Sequence, residues 1–98
     1  MTINKQQDGD KLTISLEGRL DTTTAPELEA ELNKSLDGAK ELAFDFSKLD
    51  YISSAGLRVL LYAHKAMQSK GGMTVSHANE IVTEVLDVTG FSDILHII

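Results

Sequence analysis

The sequence predicts a small α/β domain, with a mixed, largely parallel sheet carrying helices mainly on one face. Three observations lead there. Leu12–Leu16, Leu42–Phe46 and Met73–His77 alternate apolar and polar residues, the period-two mark of strands with one buried and one wet face. The stretches between them carry helical spacing and capping residues, so helical crossovers join parallel strands through right-handed connections. Strands buried on both faces read as continuous apolar runs, and these do not, which places the helices on one side.

In chain order, Thr2 to Gln7 reads as a short edge strand and Asp8-Gly9-Asp10 as the turn into the next, a hairpin. Leu12, Ile14 and Leu16 then alternate with Thr13, Ser15 and Glu17, and Gly18 loosens the end of that strand. Thr24-Ala25-Pro26-Glu27 has the capping-box pattern, with proline where its missing N–H costs nothing, and predicts a helix from Thr24. Ala25, Leu28, Leu32 and Leu36 mark its buried stripe, Glu27, Glu29, Glu31 and Lys34 its wet face, and Asp37-Gly38 its end. The third strand carries Leu42, Phe44 and Phe46 and runs out at Ser47-Lys48. A second helix is expected from Ser54 to Lys70, closed by Gly71-Gly72, before a fourth strand with Met73, Val75 and His77. Asn79 caps a third helix with Ile81, Val82, Val85 and Leu86 on its apolar face, and Gly90 stops it with Phe91 packing back. Ile94 to Ile98 reads as a last strand, or a short helix plus strand.

A length of 98 residues suits one domain, residues 1–98, with a single core. The net charge of −6 leaves no footprint for nucleic acid. Without cysteine there is no disulfide framework and no thiol nucleophile, and His64, His77 and His96 are too scattered to predict a metal site. Met1 to Gln7 has no apolar core of a signal peptide, and no run approaches the ~18 apolar residues of a membrane span. A soluble cytoplasmic protein without membrane contact is expected.

The chain is organised around the junction from Asp50 to Leu61, where the strand pattern stops, two hydroxyls appear and a strongly apolar helical pattern begins. Spacing predicts one of Ser53 and Ser54 as the N-cap of this helix and favours Ser54. The same position is the positive end of a helix dipole, where free amides would stabilise an added phosphate. Spacing alone leaves both readings open, a plain cap and a modified serine. Along the helix, Arg58, Lys65 and Ser69 form a narrow polar stripe, while Leu57, Val59, Leu60, Leu61, Ala63, Ala66 and Met67 cover much of the rest. Such a helix is packed against the sheet, keeps a docking edge for a partner, or does both. The segments Asp21–Thr24, Ile52–Ser54 and His77–Asn79 follow successive parallel strands, so three helix N-termini are expected to converge around Ser54.

Ile52-Ser53-Ser54-Ala55-Gly56-Leu57, then Val59-Leu60-Leu61, with Gly18-Arg19-Leu20-Asp21 about thirty residues earlier, resembles the single-domain STAS proteins, the bacterial anti-sigma factor antagonists. The resemblance covers essentially the whole chain and implies the STAS fold, no cofactor and a monomer when free. It implies a phosphorylation-switched interaction module. An anti-sigma factor that is also a serine kinase binds the unphosphorylated form, freeing a sigma factor, and releases it once the serine two positions before the motif glycine is phosphorylated. That serine is Ser54 here, and a PP2C-type phosphatase resets it. The family's preceding aspartate is Ser53 in this chain, a second candidate acceptor, and its frequent glycine after the motif leucine is Arg58. The implied partner surface comprises Asp21, Thr22, Ser53, Ser54, Ala55, Gly56, Leu57, Arg58 and Leu61. An alternative is a non-phosphorylated STAS adaptor subunit of a larger regulatory or lipid-transport complex. Catalysis is not expected, because no Gly-x-Ser-x-Gly elbow surrounds Ser54 and no histidine is near it in sequence. The adjacent acidic pair that a phosphate-accepting receiver needs after its first strand is also missing.

Overall fold

The computed structural model describes all residues from Met1 to Ile98. The elements run β1 (Thr2–Asp8), β2 (Lys11–Leu20), α1 (Ala25–Ser35), a 3-10 turn at Leu36–Gly38, β3 (Glu41–Ile52), α2 (Ser54–Met67), β4 (Met73–Ser76), α3 (Glu80–Val88), a second 3-10 turn at Phe91–Asp93, and β5 (His96–Ile97). The sheet order is β1-β2-β3-β4-β5, with β1 antiparallel to β2 and every later pair parallel. Each crossover steps one strand in the same direction, so right-handed connections put all three helices on one face. That face buries Leu12, Ile14, Leu16, Leu42, Phe44, Phe46, Met73 and Val75. The intervening Thr13, Ser15, Ala43, Asp45, Thr74 and Ser76 stay partly accessible. The core is one cluster of apolar side chains, and no polar or charged residue is fully buried. No helix is long and apolar enough to cross a membrane.

Several boundaries differ from the sequence reading, each for a local reason. β3 does not run out at Ser47-Lys48 but continues to Ile52, because its pairing with β2 resumes beyond register shifts at Ser15/Glu17 and Gly18/Arg19. These bulges break the period-two pattern that the eye follows. In both shifts the extra residue lies in β3, and Gly18 of β2 sits opposite the second with φ +102°, a backbone angle that a side chain would strain. At α1, Thr24 makes no capping bond to the helix amides and no capping box forms. Its hydroxyl turns outward, accepting from the Asp21 N–H at 2.9 Å and donating to the Arg19 carbonyl at 2.8 Å. Glu31 is not purely solvent-facing, since Lys5 of β1 reaches it at 2.7 Å. α2 ends at Met67 rather than Lys70, and Lys70 leaves the helix to donate to the carbonyls of Leu36 and Ala39 at 2.7 and 3.1 Å.

β4 stops at Ser76, leaving His77 outside it at φ +61°. Asn79 does cap α3, accepting the Val82 N–H at 2.8 Å, while its amide group donates to the Leu49 carbonyl at 3.0 Å. A cap that also ties the helix to β3 is readable locally, since an Asx cap needs only its own next turn. Ile81, expected on the buried face of α3, is instead 56% exposed; Val82 and Leu86 carry that contact.

Candidate functional site

β2 and β3 are parallel neighbours, so the segments that follow them emerge side by side. The Ser53 N–H donates to the Leu20 carbonyl at 2.9 Å and stitches the start of α2 to the end of β2. That bond holds Ser53 in extended backbone, φ −103° and ψ 177°, and the helix begins only after it. Ser53, not Ser54, is therefore the N-cap residue. Its carbonyl accepts the first helical bond, from the Leu57 N–H at 3.0 Å, but its side chain caps nothing. The Ser53 hydroxyl oxygen is buried without a hydrogen-bond partner, and Ser54, one residue on, is exposed as the first helical residue. The N–H groups of Ser54, Ala55 and Gly56 find no acceptor in the chain, so the positive end of α2 is open.

Under this terminus the packing is tight. Gly56 is buried, and a Cβ on it would lie 2.7 Å from Leu20 Cγ and 2.9 Å from Ile52 Cγ1. Glycine lets α2 sit directly on the ends of β2 and β3. Gly56 and Leu57, which the resemblance puts on the implied partner surface, are both buried, Leu57 at 4% exposure. One turn of helix brings Leu57 round to the same side as Leu60, which is fully buried. What α2 does present beside Ser54 is exposed Arg58 and half-buried Ala55 and Leu61. A shallow groove of about 200 Å³ runs between α1 and α2, lined among others by Thr22, Pro26, Glu29, Ala55 and Arg58.

The neighbouring loop is built by Asp21. Its Oδ1 accepts the N–H groups of Thr23 and Thr24 at 3.0 and 3.2 Å and lies 3.3 Å from the Thr24 hydroxyl. Its other oxygen is 3.8 Å from Arg19, whose guanidinium rests 4.5 Å over the Tyr51 ring. Desolvation pushes this carboxyl up, but the Thr24 and Thr23 amides, the Thr24 hydroxyl and the Arg19 charge together outweigh it and hold it below the usual aspartate value. A lowered folded value means that these bonds stabilise the fold fully above the unfolded pKa of about 4 and lose that contribution as pH falls through the folded value. Asp45, accepting the Ser47 N–H at 2.9 Å, and Glu31, bonded by Lys5, are lowered too and act in the same direction. Stability should therefore fall below about pH 4, and Asp21→Asn should flatten part of that fall. Urea midpoints between pH 3 and 7 check this; an Asn variant as acid-sensitive as the parent would contradict it.

Of the three segments expected to meet at Ser54, two do so through the Ser53–Leu20 bond and the α1–α2 groove. The third bonds elsewhere: Asn79 to Leu49, and His77 to Asp45 at 3.4 Å. Sequence reasoning missed the floor of Leu20 and Ile52 under Gly56 and the buried Ser53 hydroxyl. Both depend on how β2 and α2 meet across more than thirty residues of chain, which no local pattern reports.

Fold and site together define a small α/β module whose distinctive surface is the open N-terminus of its central helix, with a serine at the tip. Residues 2–98 match the family model for the STAS domain, and the chain belongs to that family. It is 40% identical over 85 residues to the candidate anti-sigma factor antagonist BtrV of Bordetella bronchiseptica, covering 85% of this chain and 73% of that protein. An anti-sigma factor antagonist from Mycobacterium paratuberculosis has the same fold, with a TM-score of 0.88 at 22% identity over 98% of this chain and 83% of its own. So has Bacillus SpoIIAA in its phosphorylated form, with a TM-score of 0.76 at 14% identity over 99% of this chain and 91% of its own.

Proposed function

We propose that this chain is an anti-sigma factor antagonist switched by phosphorylation of Ser54. The observation that carries the proposal is the exposed Ser54 hydroxyl at the head of three unbonded helix amides. A phosphate there adds roughly −1.5 to −2 charge and meets free N–H donors and the positive helix end, so the fold survives the modification. The existence of this fold in a phosphorylated protein supports that tolerance. Burial of the Ser53 hydroxyl favours Ser54 as acceptor over its neighbour. In this reading the unphosphorylated chain binds an anti-sigma factor serine kinase through the surface that Thr22, Ala55 and Leu61 form around the helix tip at Ser54, with Arg58 at its edge. Asp21 shapes the adjoining loop, while Ser53, Gly56 and Leu57 act from beneath by positioning the helix. Release of the kinase follows phosphorylation, and a PP2C-type phosphatase restores the binding form.

Arg58 makes this switch particular to this chain. It is exposed, forms no ion pair, and follows Ser54 by four residues, the spacing that brings side chains together on a helix. A phosphate on Ser54 would be partly neutralised by it. Arg58→Gly should leave unphosphorylated binding nearly unchanged and enlarge the ratio of phosphorylated to unphosphorylated dissociation constants about threefold. Those constants, measured by calorimetry against the purified kinase, test function and switch together. An unchanged ratio would remove the shielding role. Absence of binding by the unphosphorylated parent would remove the proposed function.

A further inference from the structure

The apolar side chains left outside the core concentrate in the last third of the chain. Ile81 and Val88 are 56% and 77% exposed, and with half-buried Val85 they follow the i, i+4, i+7 spacing of one helix stripe. Ile94, which follows the Phe91–Asp93 turn that packs on α3, is 47% exposed. The charges around them are all of one sign. Residues 71–98 contain Glu80, Glu84, Asp87 and Asp93 but no lysine or arginine, and none of these four carboxylates makes an ion pair. The acids of α1, by contrast, have Lys34 on their own helix, and Lys5 reaches Glu31.

From this we infer that the α3 face is a second docking surface, one that takes an amphipathic helix of a partner protein with lysine or arginine flanking its apolar stripe. Charge decides among the occupants. A second copy of this chain in a two-fold contact would bring four unpaired carboxylates against four more. An anionic lipid surface would meet the same repulsion. A basic helix gains on both counts, burying Ile81, Val85 and Val88 while its cations meet Glu80, Glu84 and Asp87. The surface is separate from the one described above: α3 packs on β3 and the Phe91–Asp93 turn, whereas α1 packs on α2. One chain can therefore hold two partners, and α3 binding does not depend on the state of Ser54.

The test is a titration of the ¹⁵N-labelled protein with a leucine/lysine helical peptide of about 18 residues, against a leucine/glutamate peptide of the same spacing. Amide shifts should centre on residues 80–94, and the dissociation constant should rise about tenfold between about 50 and 200 mM salt. It should rise at least tenfold in Ile81→Lys/Val88→Lys, whose targets are exposed and whose folding is checked by its urea midpoint. Glu84→Lys/Asp87→Lys should weaken binding similarly without touching the apolar stripe, and Ser54→Glu should change nothing. Shifts centred on Glu27, Glu29 and Glu31 of α1, equal binding of the glutamate peptide, or unaltered affinity in both variants would overturn the inference. So would a dimer in sedimentation that Ile81→Lys/Val88→Lys dissolves, which would give the face to a second copy.

Discussion

Gly56→Val should destabilise the fold by about 3 kcal/mol or more, among the largest effects of any single change near the site. A Cβ already lies at 2.7 and 2.9 Å from Leu20 and Ile52, and both of those side chains are fully buried in a close-packed core with nowhere to move. The valine methyls add to the conflict, and a β-branched residue returns little of glycine's helical penalty. Gly56→Ala separates the two terms. Overpacking costs about 1–3 kcal/mol and better helix propensity gives back at most about 1, so a net loss of about 1 kcal/mol is expected. Urea denaturation measures both. A stabilised alanine variant would mean that Leu20 and Ile52 yield easily and that the glycine does not set the height of α2 above the sheet.

Phosphorylation of Ser54 should weaken binding to the anti-sigma factor about a hundredfold, or about 3 kcal/mol. Intramolecular disruption is not the cause, since the open amides of α2 receive the phosphate. The expected cost is that of a partner which, to cover the helix tip, would have to desolvate a dianion. Ser54→Glu should reproduce only part of the effect, because a carboxylate carries less charge and fewer acceptor oxygens than a phosphate. Calorimetry on the three forms gives the order expected, serine tightest and phosphoserine weakest. Equal constants would place the switch elsewhere.

The parts of this molecule that were legible in the sequence are those fixed by neighbours in the chain. Alternation in Leu12–Leu16, Leu42–Phe46 and Met73–Val75 located three strands and their buried face, and Asn79 announced α3 through a cap made within its own first turn. Where tertiary contact decides, the pattern misled. Bulges within β3 let it stay paired with β2 as far as Ile52, behind a sequence that reads as a loop. Thr24 looks like the partner of a capping box but is claimed by Asp21 and Arg19. The N-cap fell one residue early because Ser53 bonds to Leu20 across the sheet end, and that single residue decides which hydroxyl is buried and which is free. Leu57 and Ile81 exchanged roles for a similar reason: an apolar residue at helical spacing announces a stripe but not which side of it the sheet will meet.

Intact mass spectrometry after incubation with the anti-sigma factor kinase and ATP decides whether Ser54 is the phosphate acceptor. The parent chain should gain the mass of one phosphate. Ser54→Ala should gain none while keeping its fold and its affinity for the kinase, since the Ser54 hydroxyl makes no hydrogen bond in the chain and alanine is the better helix former. An alanine variant that still takes up one phosphate would exclude Ser54 and move the acceptor to Ser53, whose buried hydroxyl would then have to become accessible in the complex.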